Sequence, residues 1–212
     1  MQWNDHHQLE GKHAFLGASN FHWVNWTDSI FENRYYSQFS TIIGTTIHEL
    51  AHDCILNRTK INKHDKHLIE ISLYHAFVPK DAYDPDAILT NLIPFVNDAI
   101  GYHMSSEILL YYNSYCFGTC DAILFNEKDK ILRIHDLKTG TTTAHFEQLL
   151  IYAALFCLEY HKNPRHFATE LRIYQNFEIS INTPDPSEIE SFMKLIQNRS
   201  QLILSYLERE GR

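Results

Sequence analysis

The chain of 212 residues carries 18 Lys and Arg against 26 Asp and Glu, a net charge of −8 at pH 7, with 44% apolar and 21% charged residues. That balance belongs to a folded globular protein, and the length suits one domain with a full core. It argues against a protein that coats nucleic acid by bulk charge, because such affinity comes from Lys and Arg neutralising phosphates.

No apolar run approaches the ~20 residues needed to cross a bilayer, and no Gly-x-x-x-x-Gly-Lys-Ser/Thr loop encodes an ATP-driven motor. Cys54, Cys116, Cys120 and Cys157 are irregularly spaced and read as reduced thiols in a cytoplasmic setting. The polar start, Met1 to His7, lacks the basic-then-apolar pattern of a signal peptide. With 7 Gly, 6 Pro and no repeat, long elements in a single domain are expected over 1–212.

In chain order, Ser19 can cap a first helix through Phe21, Trp23, Val24 and Ile30, and the spacing of Trp23, Trp26 and Ile30 predicts core packing. Trp3, Trp23, Trp26, Tyr35 and Tyr36 could otherwise stack bases. A second helix over about Thr45 to Asn57 carries Ile47, Leu50, Ala51, Cys54 and Ile55 at helical spacing. Helices follow over His67 to Phe77 and Pro85 to His103, the latter kinked at Pro94. Lys60, Lys63 and Lys66 form a modest basic tract.

From about residue 106 the pattern changes from helical to strand-like. Ile108 to Phe117, Cys120 to Phe125 and Ile131 to Leu137 are rich in aromatic and β-branched residues. An apolar helix over Ala144 to Tyr160, a strand over Glu170 to Phe177 and an amphipathic helix after Pro186 complete the chain. The expected architecture is α/β: a helical part over about 1–105 and a sheet core over about 106–178. Its mixed sheet has four or five strands with helices on both faces.

Chemistry concentrates in Gly118-Thr119-Cys120-Asp121 and Asp136-Leu137-Lys138. A hairpin centred on Lys128-Asp129 places Phe125 opposite Leu132, Ile123 opposite Ile134 and Asp121 opposite Asp136, with Cβ atoms ~4.5–5.5 Å apart. Lys138 then shares a face with Asp136 while Leu137 points away. Two carboxylates at the end of an apolar face repel unless a cation lies between them, and hard oxygen donors suit Mg²⁺ or Mn²⁺. Lys138 beside them could orient or deprotonate a water. The plain alternative is that both aspartates merely end their strands in solvent.

These segments resemble the PD-(D/E)XK nuclease superfamily, in particular its RecB-like and phage exonuclease-like branch. The marks stand in the family's order: Gly44-Thr45-Thr46-Ile47-His48 on a helix, Gly118 to Asp121 and Asp136-Leu137-Lys138 on strands, and Gln148-Leu149-Leu150-Ile151-Tyr152 on the next helix. The stretch His13 to Ser19 is similar to the start of phage-encoded members.

The resemblance implies a restriction-endonuclease-like core and a Mg²⁺- or Mn²⁺-dependent deoxyribonuclease, an exonuclease of phage or bacterial recombination or repair. His48, Asp121, Asp136 and the Leu137 backbone carbonyl would hold metal, with Glu107 as an additional candidate acid. Lys138 would be the catalytic lysine, with Gln148 and Tyr152 supporting the site or touching DNA. DNA with free ends or single strands would be the partner, with no membrane. A homo-oligomer or a recombination partner protein could offset the acidic charge, and the setting would be the cytoplasm of a bacterial or phage-infected cell. Relatives with an iron–sulfur cluster use one early and three late cysteines; none lies beyond Cys157, so no cluster is expected.

His48-Glu49-Leu50-Ala51-His52 also matches the zinc metallopeptidase pattern, with Glu70 as the third ligand in that reading. A catalytically inactive nuclease-fold scaffold is the third possibility. Among the other histidines, His6, His7, His64, His67, His161 and His166 read as solvated, and His135 and His145 flank the site with solvation favoured. Alternation puts one face of Tyr111, Tyr112 and Tyr115 in the core, and Cys116 and Cys120 bracket a Phe-Gly-Thr turn in a structural role.

Overall fold

Residues 4–140 and 142–210 are described by a computed structural model. Among them a helical block comes first, with α1 (Asp28–Ser37), α2 (Ser40–Leu56), α3 (Lys66–His75) and α4 (Pro85–Gly101). Each long helix has a readable cause. In α2, Ile43, Ile47, Ala51, Cys54 and Ile55 form a buried stripe at helical spacing. In α4, the Asp84 carboxylate accepts from the N–H groups of Asp86 and Ala87, Pro85 fills the first turn, and the helix continues through Pro94.

The sheet block follows, with β1 (Ser105–Asn113), β2 (Cys116–Asn126), β3 (Ile131–Leu137), α5 (Glu147–Glu159), β4 (Ala168–Gln175), β5 (Glu178–Asn182) and α6 (Pro186–Arg209). The strands lie in the order β1-β2-β3-β4-β5. β3 and β4 run parallel, joined through α5, and every other neighbouring pair is antiparallel. This is an α/β domain with a five-stranded mixed sheet flanked by helices. One face packs Ala122, Leu137 and Tyr174 against α2, α3 and α4. The other packs Ile123, Leu132, Ile134, Leu171 and Ile173 against α5 and α6. A capping box between Asp185 and Glu188 starts α6.

The β2–β3 hairpin has the expected register, Phe125 with Leu132 and Ile123 with Ile134. The Asn126 side chain accepts from the N–H groups of Lys128 and Asp129 and fixes that turn.

Five expectations need correction. The first helix is two segments, a 3₁₀ stretch Ala18–Asn25 and then α1, because Asn20 leaves helical geometry and Thr27 starts a new helix by accepting from Ile30 N–H. No residue of either segment is buried, so Trp23, Trp26 and Ile30 are not core; the Trp26, Phe15, Phe31 and Tyr35 rings pack on one another at the surface. Trp3 lies outside the described residues.

The β1–β2 turn lies at Asn113–Tyr115, where Asn113 accepts from Tyr115 N–H, so Cys116 to Cys120 is strand rather than turn. The later strand ends at Gln175, where Asn176 and Phe177 adopt left-handed backbone and reverse the chain into β5. His135 is fully buried rather than solvated. It faces Tyr174 and Tyr102 on the α4 side of the sheet, while His145 is exposed as expected.

No helix among the described residues is long and apolar enough to cross a membrane.

Candidate metal centre

The site forms where β1 and β2 change sides. Cys120 packs with the α5 cluster, yet Ala122, which would share its face on a regular strand, packs with α2 and α4. At the matching point of β1, Glu107 has φ 54°, a left-handed conformation rarely held by a residue with a side chain. This break turns Glu107 and Asp121 toward α2. One ligand atom each from His48, Glu107 and Asp121 then lie within 4.8 Å of one another. His48 Nδ1 is 3.3 Å from Asp121 Oδ1.

Asp121 is therefore placed differently from the expectation of a rung opposite Asp136. The last β2–β3 pair is Ala122 with His135, and Asp121 Oδ2 accepts instead from the Leu137 N–H at 2.8 Å. Asp136 faces α5, and Leu137 is buried on the opposite side as alternation requires. Lys138 Nζ is 3.1 Å and 3.0 Å from the two oxygens of Asp136 and 2.8 Å from Gln148 Oε1 on α5.

Gln148 Nε2 meets the Tyr152 hydroxyl at 3.2 Å, and that hydroxyl donates to the Thr119 carbonyl at 2.6 Å. Gly118 leaves room there, since a Cβ would stand 3.0 Å from the Tyr152 ring and push it aside. Thus β2, β3 and α5 are tied by one chain of hydrogen bonds running from Asp136 to Thr119.

The electrostatics are those of crowded carboxylates. Asp136 is 2% exposed, and burial followed by the charge of Asp121 raises its pKa to about 6 against the pull of Lys138. Desolvation and then Asp121 raise Glu107 as well. Burial opposes protonation of His48, but Asp121, Asp136 and Glu107 together push its pKa up.

Among the described residues, no hydrogen-bond donor is aligned with Asp136 Oδ2 although it is buried and Lys138 is near. A hard, oxygen-rich donor set with one imidazole fits a divalent cation. His48, Glu107 and Asp121 are the residues that would hold it; Asp136, expected as a further ligand, lies outside that cluster, although its charge acts on His48.

His48, Asp121 and Glu107, all singled out in the sequence, are brought together here. Gln148 and Tyr152 reach the site and brace it. An open cleft of about 500 Å³ is lined by Gly44, Thr45, His48, Glu49, His52, Glu107 and Asp121. His52 Nδ1 is engaged with Ser106 Oγ at 2.8 Å, and neither His52 nor Glu70 joins the ligand cluster. The triad of His48, His52 and Glu70 expected of a zinc peptidase is not assembled. Ser106 carried no sequence signal; it gains its contact only because β1 turns at Glu107. Comparison with models of known families, with curated proteins and with solved structures finds no match for the chain.

Proposed function

We propose that the chain is a Mg²⁺- or Mn²⁺-dependent phosphodiester hydrolase acting on DNA. The observation that carries this reading is the convergence of His48, Glu107 and Asp121 beside a buried Asp136 whose carboxylate is bridged by Lys138 to α5. When bound, a divalent cation supplies Lewis acidity and stabilises negative charge on a phosphate oxygen. Asp136 and Gln148 fix the Lys138 ammonium, and among the described residues they engage two of its three hydrogens, leaving one to orient water or phosphate. Tyr152 holds Gln148 in place through the Thr119 carbonyl.

The finer reading, an exonuclease of recombination or repair in a bacterial or phage-infected cytoplasm, rests on the sequence resemblance to the RecB-like and phage exonuclease-like branch. The test is cleavage of linear and covalently closed DNA with Mg²⁺ or Mn²⁺. Asp136→Ala and Lys138→Ala should each lose on the order of 10²–10⁴-fold in rate. Equal cleavage by wild type and both variants removes the assignment.

A further inference from the structure

The two strands that carry Glu107 and Asp121 continue outward as a hairpin whose two faces differ. Leu110 and Tyr112 pack toward α5. The opposite face shows Leu109, Tyr111 and Phe117 to solvent, at 54%, 47% and 58% exposure. Tyr111 and Phe117 are direct cross-strand partners, and their rings stack at 6.5 Å with 27° between planes. This is the face to which Glu107 and Asp121 belong, so one row runs from ligand cluster to ring pair without a change of side.

The patch is small. Half-exposed rings offer roughly 100 Å² each, so with Leu109 and the nearby Tyr115 the area stays near half of the ~800 Å² per partner that a stable protein interface takes. A pair of exposed, near-parallel rings suits planar ligands instead, since base–aromatic stacking needs little area and tolerates any sequence. Same-face residues on a strand repeat every ~6.8 Å, which puts Tyr111 about 14 Å from Glu107.

Resting on the hydrolase reading above, we infer that Tyr111 and Phe117 form a base-stacking platform for a single DNA strand whose scissile phosphate lies at the carboxylate cluster. The contact is to bases rather than phosphates, which suits an acidic chain that cannot hold DNA by bulk charge.

The experiment measures fluorescence anisotropy of a labelled 12-nucleotide oligo-dT, and of an abasic oligonucleotide of the same length, in Ca²⁺. Cleavage in Mn²⁺ is measured in parallel. The Tyr111→Ala/Phe117→Ala pair should weaken oligo-dT binding roughly 10- to 100-fold and leave abasic binding unchanged. Tyr111→Phe/Phe117→Tyr should restore binding.

Cleavage with oligo-dT affinity equal in wild type and the alanine pair overturns the platform and leaves the hydrolase reading standing. Ring-dependent binding without cleavage supports the platform and overturns the hydrolase reading. Absence of oligo-dT binding overturns the platform, and only if cleavage is absent too does the hydrolase reading fall with it.

Discussion

Replacing Asp136 by Asn gives a sharp test of the buried carboxylate. In the metal-free protein its pKa is raised from 3.8 to about 6, so its contribution to stability is fully present below 3.8 and is lost as pH rises through about 6. The full loss is at most ~3 kcal/mol, and ~2 kcal/mol of it falls between about pH 4.5 and 7.5. Asn removes the charge but sets an amide nitrogen near the Lys138 ammonium, which takes back about 1 kcal/mol. Asp136→Asn should therefore be ~2 kcal/mol more stable than wild type at about pH 7.5 and nearly equal to it at about pH 4.5. Urea unfolding in EDTA at both pH values reads this directly. A stability difference that is the same at both pH values refutes the reasoning, because it would mean the carboxylate titrates alike in folded and unfolded chains.

The buried His135, held to about 3 by desolvation and by Arg172 and Arg133, acts in the opposite sense: its contribution is present above 6.5 and lost as pH falls toward 3. The two slopes nearly offset in wild type, so His135→Gln should unmask a rise in stability on acidification from pH 6.5 to 4.5, seen in the same urea series; a fall would contradict it. Gly118→Ala should displace the Tyr152 ring, cost about 1–3 kcal/mol and slow cleavage, while Gly101→Ala, where a Cβ meets nothing within 4 Å, serves as the control. Asp98 accepts from Arg172 and Tyr174. Asp98→Ala should cost ~2–3 kcal/mol by thermal unfolding, somewhat under a fully buried pair because Asp98 is a third exposed; a cost below ~0.5 kcal/mol would show that network to be idle.

The hairpin register was legible because the polar run Asn126 to Lys130 separates two apolar strands, and a turn centred on Lys128-Asp129 puts Ile123, Phe125, Leu132 and Ile134 on one face. The turn of Asp121 toward α2 was not, since it depends on the left-handed backbone of Glu107, a residue with no intrinsic preference for it. β5 is an exposed edge strand with polar alternation, so burial left little pattern to find. His135 was misread through its polarity, although alternation with buried Leu137 already pointed it inward. The first helix failed for a converse reason: aromatic spacing mimicked a core stripe, but no residue of either segment is buried and the rings pack largely on one another at the surface.

Mn²⁺ titration of the metal-stripped protein, followed by electron paramagnetic resonance, bears most directly on the carboxylate cluster. Wild type should bind Mn²⁺ stoichiometrically, with affinity reduced in Asp121→Asn and His48→Ala and unaltered in Glu70→Gln. No Mn²⁺ binding, or binding indifferent to Asp121 and His48, would contradict the account.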